Sequence, residues 1–446
     1  MAGIFKAYDI RGTVPDQLDA ALAERIGTAT ASHLGARRMV VGRDMRDSGV
    51  ELSRALVRGI TSTGCDVVDI GVVSTPMQYF AVGSLGTDGG VMVTASHNPA
   101  AYNGFKISAR DVVPVGGTSG LAEIEALVRG ALPAPAASRG AVSTHDVRAA
   151  YTARITSMLR FGERRLRVAV DCGNGMGGHE VAAVLEHLPV DLVGLYLEPD
   201  GTFPNHEANP LDPRNMRDLQ AAVLREGCDL GIAFDGDADR ACFCDEQGRL
   251  IGNDLVTALL APELVPDEPG AAVVYDLRSS RVVPQTIAAL GGTPVRERVG
   301  HAFMKATLRR HRGPYGGELS GHFYFRDLWY TDSGVLAAGL VLARLSRDAV
   351  PLSRLVDPLR RFPTSGEVNF EVEDKDGKIE EIAAAFPDAR QDRLDGITVE
   401  YDDWWCNVRK SNTEPLLRLV LEADDATTFE AAKARVMGIL GTPAAH

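Results

Sequence analysis

Three aspartates stand at alternate positions in the run LGIAFDGDADR, at Asp235, Asp237 and Asp239. Carboxylates that close repel one another unless a hard cation lies among them, and an all-oxygen set suits magnesium. An EF-hand loop spaces its acids in a similar way and would place Glu246 at its twelfth position. That reading fails at the sixth position, where the sharp turn requires glycine and the chain has Arg240. A solvated acidic turn is the other alternative, and the apolar strand leading into the loop argues against it.

Four more segments carry groups of the same chemical reach. In VMVTASHNPAAYNGFK (91–106) a strand ends in a turn that holds Ser96 and His97. Asn98-Pro99 is turn chemistry, so a plain surface loop reads there too, unless something stabilises a phosphate on the serine. In YGGELSGHFYF (315–325) glycines permit tight turns around Glu318, Ser320 and His322. Glu318 and Ser320 suit vicinal sugar hydroxyls, and His322 suits a phosphate or a proton; a hairpin with capping polar residues is the alternative. VRKSNTEPLLR (408–418) offers Arg409, Ser411, Asn412 and Thr413, a charged fork, two hydroxyls and an amide that match a phosphate dianion. A polar turn before a strand reads equally there. In RVGHAFMK (298–305), His301 and Lys305 lie four apart at a possible helix start, where a satisfied loop histidine is the default.

The elements that must position these loops repeat. RMVVGRD (38–44), a helical stretch over 51–63 and CDVVDIG (65–71) form one strand–helix–strand unit. RVAVDCG (167–173), 180–188 and VDLVGLY (190–196) form a second, and AVVYDLR (272–278), 281–290 and TPVRERVG (293–300) a third. This is the grammar of a mostly parallel sheet with helices on both faces, and three spaced copies indicate three related α/β domains. ALPAPAAS (131–138) is a connecting loop before a linking helix over 147–159, and DEQGRLIGND (245–254) reads as a hairpin and turn. After LRRFPTSGEV (359–368) the pattern changes to short strands near 368–372, 396–401 and 416–422 and a final helix over 428–440, a smaller α+β domain. The expected divisions are 1–145, 146–246, 247–360 and 361–446. Ligands in such assemblies sit outside the carboxyl ends of strands.

A chain of 446 residues with 45% hydrophobic and 24% charged residues is globular and too long for one core. Its net charge of -13 argues against nucleic acid and anionic membranes as partners, though local arginines can still line a cleft for an anion. The opening MAGIFKAYDIRG has no long apolar run, and the apolar stretch over 335–345 is interrupted by Arg344. A cytoplasmic protein with no membrane partner is expected. The six cysteines, Cys65, Cys172, Cys228, Cys242, Cys244 and Cys406, form no CxxC pair and read as buried thiols.

Taken in order, KAYDIRG (6–12), TASHNP (94–99), NGFK (103–106), DGDADR (235–240), VGHAFMK (299–305), GELSGH (317–322) and RKSNTEP (409–415) resemble the α-D-phosphohexomutase superfamily, nearest to its bacterial phosphomannomutase/phosphoglucomutase branch. Segment 198–210 is similar to that family as well. The resemblance implies three related βαβ-containing mixed-sheet domains and a C-terminal α+β domain around a central cleft. It implies a phosphoryl group on Ser96 and magnesium held by Asp235, Asp237, Asp239 and a phosphoryl oxygen. Arg11, Lys106, His97 and Arg240 would assist transfer. Tyr8, Arg278, His301, Lys305, Glu318, Ser320, His322, Arg409, Ser411, Asn412, Thr413 and Arg418 would contact a phosphosugar that passes through a hexose 1,6-bisphosphate. Leu319 and Asn412 lean toward mannose and glucose rather than glucosamine substrates. Arg278 departs from the lysine usual in close relatives. A monomer or homodimer is expected.

Overall fold

The alternation of apolar strands with amphipathic helices closes into four separate sheets. The computed structural model describes residues 3–117, 119–265, 268–411 and 416–444. The first sheet runs in the order Ile10–Thr13, Tyr102–Ala109, Gly89–Val93, Arg38–Arg43, Asp66–Val72 and Val142–Thr144. The second runs Leu250–Ile251, Ala241–Asp245, Leu230–Phe234, Leu166–Asp171, Val190–Leu195, and the third Thr293–Glu297, Ala272–Asp276, Tyr315–Gly317, Phe323–Phe325, Thr331–Asp332. All three repeat one plan. Two parallel strands are joined through a helix, a third parallel strand lies on the other side of the first, and a fourth returns antiparallel as a hairpin. Central strands such as Leu230–Phe234 and Ala272–Asp276 are buried along their whole length, which is why they read as apolar runs without alternation.

The connecting helices occupy Ser48–Ser62, Gly177–Leu185 and Val282–Ala289. The second begins before the stretch read from sequence, on two glycines that look like turn residues. A Cβ on Gly178 would lie 1.7 Å from the Leu197 carbonyl oxygen, so the helix start needs that bare backbone to seat against its neighbour. The linking helix is Arg148–Ser157.

The fourth sheet is antiparallel throughout, in the order Val368–Phe370, Leu417–Ala423, Trp404–Lys410, Ile397–Glu400, Arg390–Asp392. Its helices are Lys375–Ala385 and Ala426–Leu440. The central strand Trp404–Lys410 escaped the sequence reading because Asn407 and Arg409 break its apolar pattern while being buried themselves. Asn407 is satisfied inside the sheet, donating to the carbonyls of Asp395 and Ile397 at 3.0 and 3.3 Å.

One apolar core runs through the first three sheets, from Met92 and Phe80 past Tyr151 and Phe234 to Phe323 and Leu340. The fourth sheet packs on a core of its own around Phe370, Phe386, Trp404 and Leu419. Its seam with the third is polar. Arg281 donates to the carbonyls of Tyr401, Asp402 and Trp404, and Arg298 to that of Leu394 at 2.6 Å. The helix Gly334–Asp348, which contains the stretch 335–345, lies in the shared core, and among the described residues no helix is long and apolar enough to cross a membrane. All six cysteines are buried and free.

Where the first three units meet, Glu180 is buried and accepts from the Tyr151 hydroxyl, which also lies 3.2 Å from the Ser333 hydroxyl. Burial pushes the Glu180 carboxyl up to about 7 from an ordinary 4.5. The folded protein therefore holds a proton there that the unfolded chain has released. Stability from this group is full below about pH 4.5 and falls by ~3 kcal/mol as pH rises to about 7. Urea unfolding of Glu180→Gln across that window should lose this slope; an unchanged slope would place the titration elsewhere.

Candidate active site

Each sheet offers one hairpin loop at the same topological place, between its third and fourth strands in the first three units. Ser96 lies between Gly89–Val93 and Tyr102–Ala109, the three aspartates between Leu230–Phe234 and Ala241–Asp245, and Glu318 to His322 between Tyr315–Gly317 and Phe323–Phe325. In the fourth sheet, Ser411 opens the connection from Trp404–Lys410 to Leu417–Ala423. The loops converge. Arg240 and His322 form a β-bridge, and a Cβ on Gly236 would fall 2.4 Å from the Ser96 carbonyl oxygen. Only glycine lets the acidic loop approach the serine loop that closely.

Ser96 adopts a left-handed backbone, φ 51°, held by its N–H donating to Thr94 Oγ1 at 2.9 Å. Its hydroxyl donates to Asp235 Oδ2 at 2.8 Å and lies 3.3 Å from His97 Nδ1. Asp235, Asp237 and Asp239 are buried, with one ligand oxygen from each lying within 4.8 Å of the others. Lys106 Nζ sits among them, 2.6 Å from Asp237 and 2.5 Å from Asp239, and Arg240 Nε is 3.5 Å from Asp235. Thr75 Oγ1 donates to Asp237 at 2.5 Å. These cations do not reach every oxygen of the cluster. Asp237 Oδ1 is buried without a hydrogen-bond partner, and burial with the neighbouring carboxylates pushes Asp235 up to about 8. A small oxygen-loving cation fits both deficits.

Arg11 donates to Asn98 Oδ1 at 2.6 Å and to the Ala95 carbonyl at 3.2 Å, and it pairs with Asp9. A second arginine, Arg46, was not found from sequence. Fully buried, it donates to the carbonyls of Ser96, Asn98, Pro99 and Tyr102 at 2.9, 2.5, 2.8 and 3.0 Å, and its guanidinium lies over the Phe203 ring. The signal was present in the repeat. Asp44, Asp171 and Asp276 close the equivalent first strands, and each accepts from the backbone N–H two residues on. Aligning the units on these aspartates puts Arg46 opposite Arg278.

In the third loop Glu318 accepts from the Gly300 N–H at 2.9 Å and from Ser320 and Tyr324 hydroxyls at 3.0 and 2.9 Å. His322 bridges loops, with Nδ1 3.3 Å from Glu318 and Nε2 3.4 Å from Asp239. Burial opposes its charge, yet Asp239 and Glu318 raise it to about 9. His301 stacks edge-on against Tyr8, and burial together with Lys305 holds it well below its usual range. Tyr8 donates to the Val299 carbonyl at 3.0 Å. Lys305 is buried: its ammonium pairs with Asp332 at 3.1 Å and lies over the Tyr79 ring. The helix begins at His301, and a residue four on is carried one turn inward.

Arg409 and Arg278, both buried, and Arg418 converge on Glu367, at 2.9, 3.1 and 2.8 Å. Glu367 is the other residue that sequence did not disclose, because nothing in SGEVN marks it. Asn412 and Thr413 lie outside the described residues. A cavity of about 370 Å³ opens between Tyr8, Gly116, Arg298, Phe303, Asp395 and Lys410, and Ser96 is not among its lining residues.

Models of the phosphoglucomutase/phosphomannomutase family match the chain in series: alpha/beta/alpha domain I at residues 2–132, domain II at 149–248, domain III at 252–362 and the C-terminal domain at 367–439. A phosphomannomutase of Salmonella montevideo is 38% identical, the match covering 98% of this chain and 99% of the relative. The phosphohexose mutases protein of Xanthomonas campestris pv. campestris is 39% identical over 98% of each. A solved phosphoglucomutase/phosphomannomutase family protein from Burkholderia thailandensis superposes with a TM-score of 0.90 at 35% identity, over 97% of this chain and 96% of that one. Fold and site together define an enzyme of intramolecular phosphoryl transfer. The chain belongs to the phosphoglucomutase/phosphomannomutase family.

Arg46→Met should leave four loop carbonyls and Asp44 without their cation and cost roughly 3–5 kcal/mol in urea unfolding. An unchanged midpoint would show that other donors replace it.

Proposed function

We propose that the chain interconverts the 1- and 6-phosphates of a mannose- or glucose-type hexose through a phosphoryl group carried on Ser96. The observation that carries this is the Ser96 hydroxyl bonded directly to a buried cluster of three carboxylates that keeps an unpartnered oxygen, with a set of arginines gathered on the fourth sheet. Asp235, Asp237 and Asp239, with a phosphoryl oxygen on Ser96, would hold magnesium, which supplies charge neutralisation and polarises the phosphoryl group.

The chain's own groups do the rest. Arg11 and Lys106 lie along the serine loop and offset charge on the transferring group. Glu318 and Ser320 take sugar hydroxyls. His322, charged at neutral pH and placed between Glu318 and Asp239, is positioned to exchange a proton with the reacting oxygen. Arg409, with Ser411, Asn412 and Thr413, holds the phosphate that is not reacting, and Arg278, Arg418, His301 and Tyr8 complete the cleft. Lys305 acts from behind, fixing Asp332.

In the first half-reaction the bond from Ser96 Oγ to phosphorus breaks as the sugar oxygen bonds to phosphorus; His322 would give its proton to the leaving Ser96 oxygen and take up the one the sugar hydroxyl loses. The product is hexose 1,6-bisphosphate. It turns end for end, and the second half runs the same exchange backward, returning a phosphoryl group to Ser96. Water must stay out throughout. The separate core and polar seam of the fourth sheet suit its closing over the cleft about a hinge near 361–365.

Phosphorus NMR with magnesium, a trace of hexose 1,6-bisphosphate and mannose, glucose or glucosamine 1-phosphate tests the reading. A growing 6-phosphate signal that Ser96→Ala abolishes is expected; inorganic phosphate instead would make the protein a phosphatase. Magnesium should also raise the melting temperature of the wild type, and Asp237→Asn should lose most of that rise. An equal rise in the variant would move the cation away from Asp237.

A further inference from the structure

The reaction proposed above places an unusual demand on the distal phosphate clamp. It must hold a doubly charged phosphate during transfer and then let the bisphosphate go, so that the other end can take its place. Three buried or half-buried guanidiniums acting without opposition would hold a dianion too firmly for that.

The structure supplies an opposition. Glu367, at the head of strand Val368–Phe370, places Oε2 at 3.1 Å from Arg278 and 2.9 Å from Arg409, and Oε1 at 2.8 Å from Arg418. One carboxylate thus faces three arginines drawn from two sheets, Arg278 from the third and Arg409 and Arg418 from the fourth. Arg278 is further held by Asp276 at 2.8 Å, so its planar fork is shared between a structural carboxylate and Glu367. Lysine would offer a single ammonium in place of this extended fork. The arginines hold the Glu367 carboxyl down to about 2, although burial opposes this, so it is ionised at every pH at which the protein functions.

We infer that Glu367 is an internal competitor for the phosphate clamp, a positioning residue that shares Arg278, Arg409 and Arg418 with the substrate's non-reacting phosphate and so weakens the grip enough for the bisphosphate to reorient. This rests on the clamp reading of Arg409 given above. Without substrate, the carboxylate keeps the guanidiniums gathered and the third and fourth sheets in register. With substrate, the phosphate takes over part of their hydrogen bonding, and departure of the phosphate is assisted by the carboxylate reclaiming it.

The test is the affinity of intact protein for inorganic phosphate, read by isothermal titration and by phosphate-induced shifts in melting temperature, in wild type, Glu367→Gln, Glu367→Asp and Arg409→Ala. Glu367→Gln keeps the shape and removes the charge. It should bind phosphate about tenfold more tightly, melt lower than wild type in phosphate-free buffer, and recover more on adding phosphate. Glu367→Asp, which keeps the charge but withdraws it by one methylene, should fall between. In turnover, KM and kcat should both drop for Glu367→Gln. If Glu367 only holds the arginines in place, its loss will weaken phosphate binding or leave it unchanged and raise KM; that result overturns the inference. Arg409→Ala separates the two readings: wild-type phosphate binding that survives this change means that the phosphate sits elsewhere, and the clamp assignment fails rather than the role of Glu367.

Discussion

Three carboxylates within 4.8 Å of one another, out of contact with bulk water, are the constraint around which the protein is arranged. Such a group cannot be stable as a bare trianion. The fold answers with cations from separate elements, Lys106 from the first sheet and Arg240 at the start of the next strand, while His322 from the third sheet is held protonated beside Asp239. Even so one oxygen of the cluster, Asp237 Oδ1, stays buried without a hydrogen-bond partner. A buried carboxylate oxygen left without a donor suits a small cation, and the Ser96 hydroxyl is bonded directly to that cluster.

The way the units join follows from what each must do. The first three share a continuous apolar core, which fixes the serine, the acids and the sugar-facing loop relative to one another with the stiffness of a close-packed interior. The fourth has its own core and meets the third through arginines and carbonyls. Such seams exchange one set of hydrogen bonds for another at small net cost. Rigidity therefore belongs to the loops that carry Ser96 and the three aspartates, and adaptability to the sheet that carries Arg409 and Arg418.

Much of this was legible in the chain. The strand–helix–strand units, the different character of the tail and the loops around Ser96, Asp235 and Glu318 all carry local signals: apolar runs, glycines beside polar triplets, alternate carboxylates. What was not legible depends on contacts between distant residues. Strand Trp404–Lys410 was hidden because its buried Asn407 and Arg409 find partners only once the sheet exists. Arg46 looks like any surface arginine until the loop it holds, fifty residues on, is folded against it. The spacing of Lys305 from His301 says which residues share a helix side, not which side is inward, so its pairing with the distant Asp332 could not be read. Glu367 has no neighbour in sequence to announce it, since its three partners come from 278, 409 and 418.

The placement of the chemistry-bearing loops in equivalent hairpins has a bearing on how such a cleft can change. Each hairpin is anchored by two strands of its own sheet, so its tip can be rewritten without disturbing the hydrogen-bond ladders of the other three. In the tip that carries Glu318 and Ser320, positions other than His322, which is bridged to Arg240 and paired with Asp239, can diverge while the serine and aspartate tips stay fixed. Inheritance of chemistry and inheritance of selectivity are thereby uncoupled, and a lineage can try new substrates without first surrendering its catalyst.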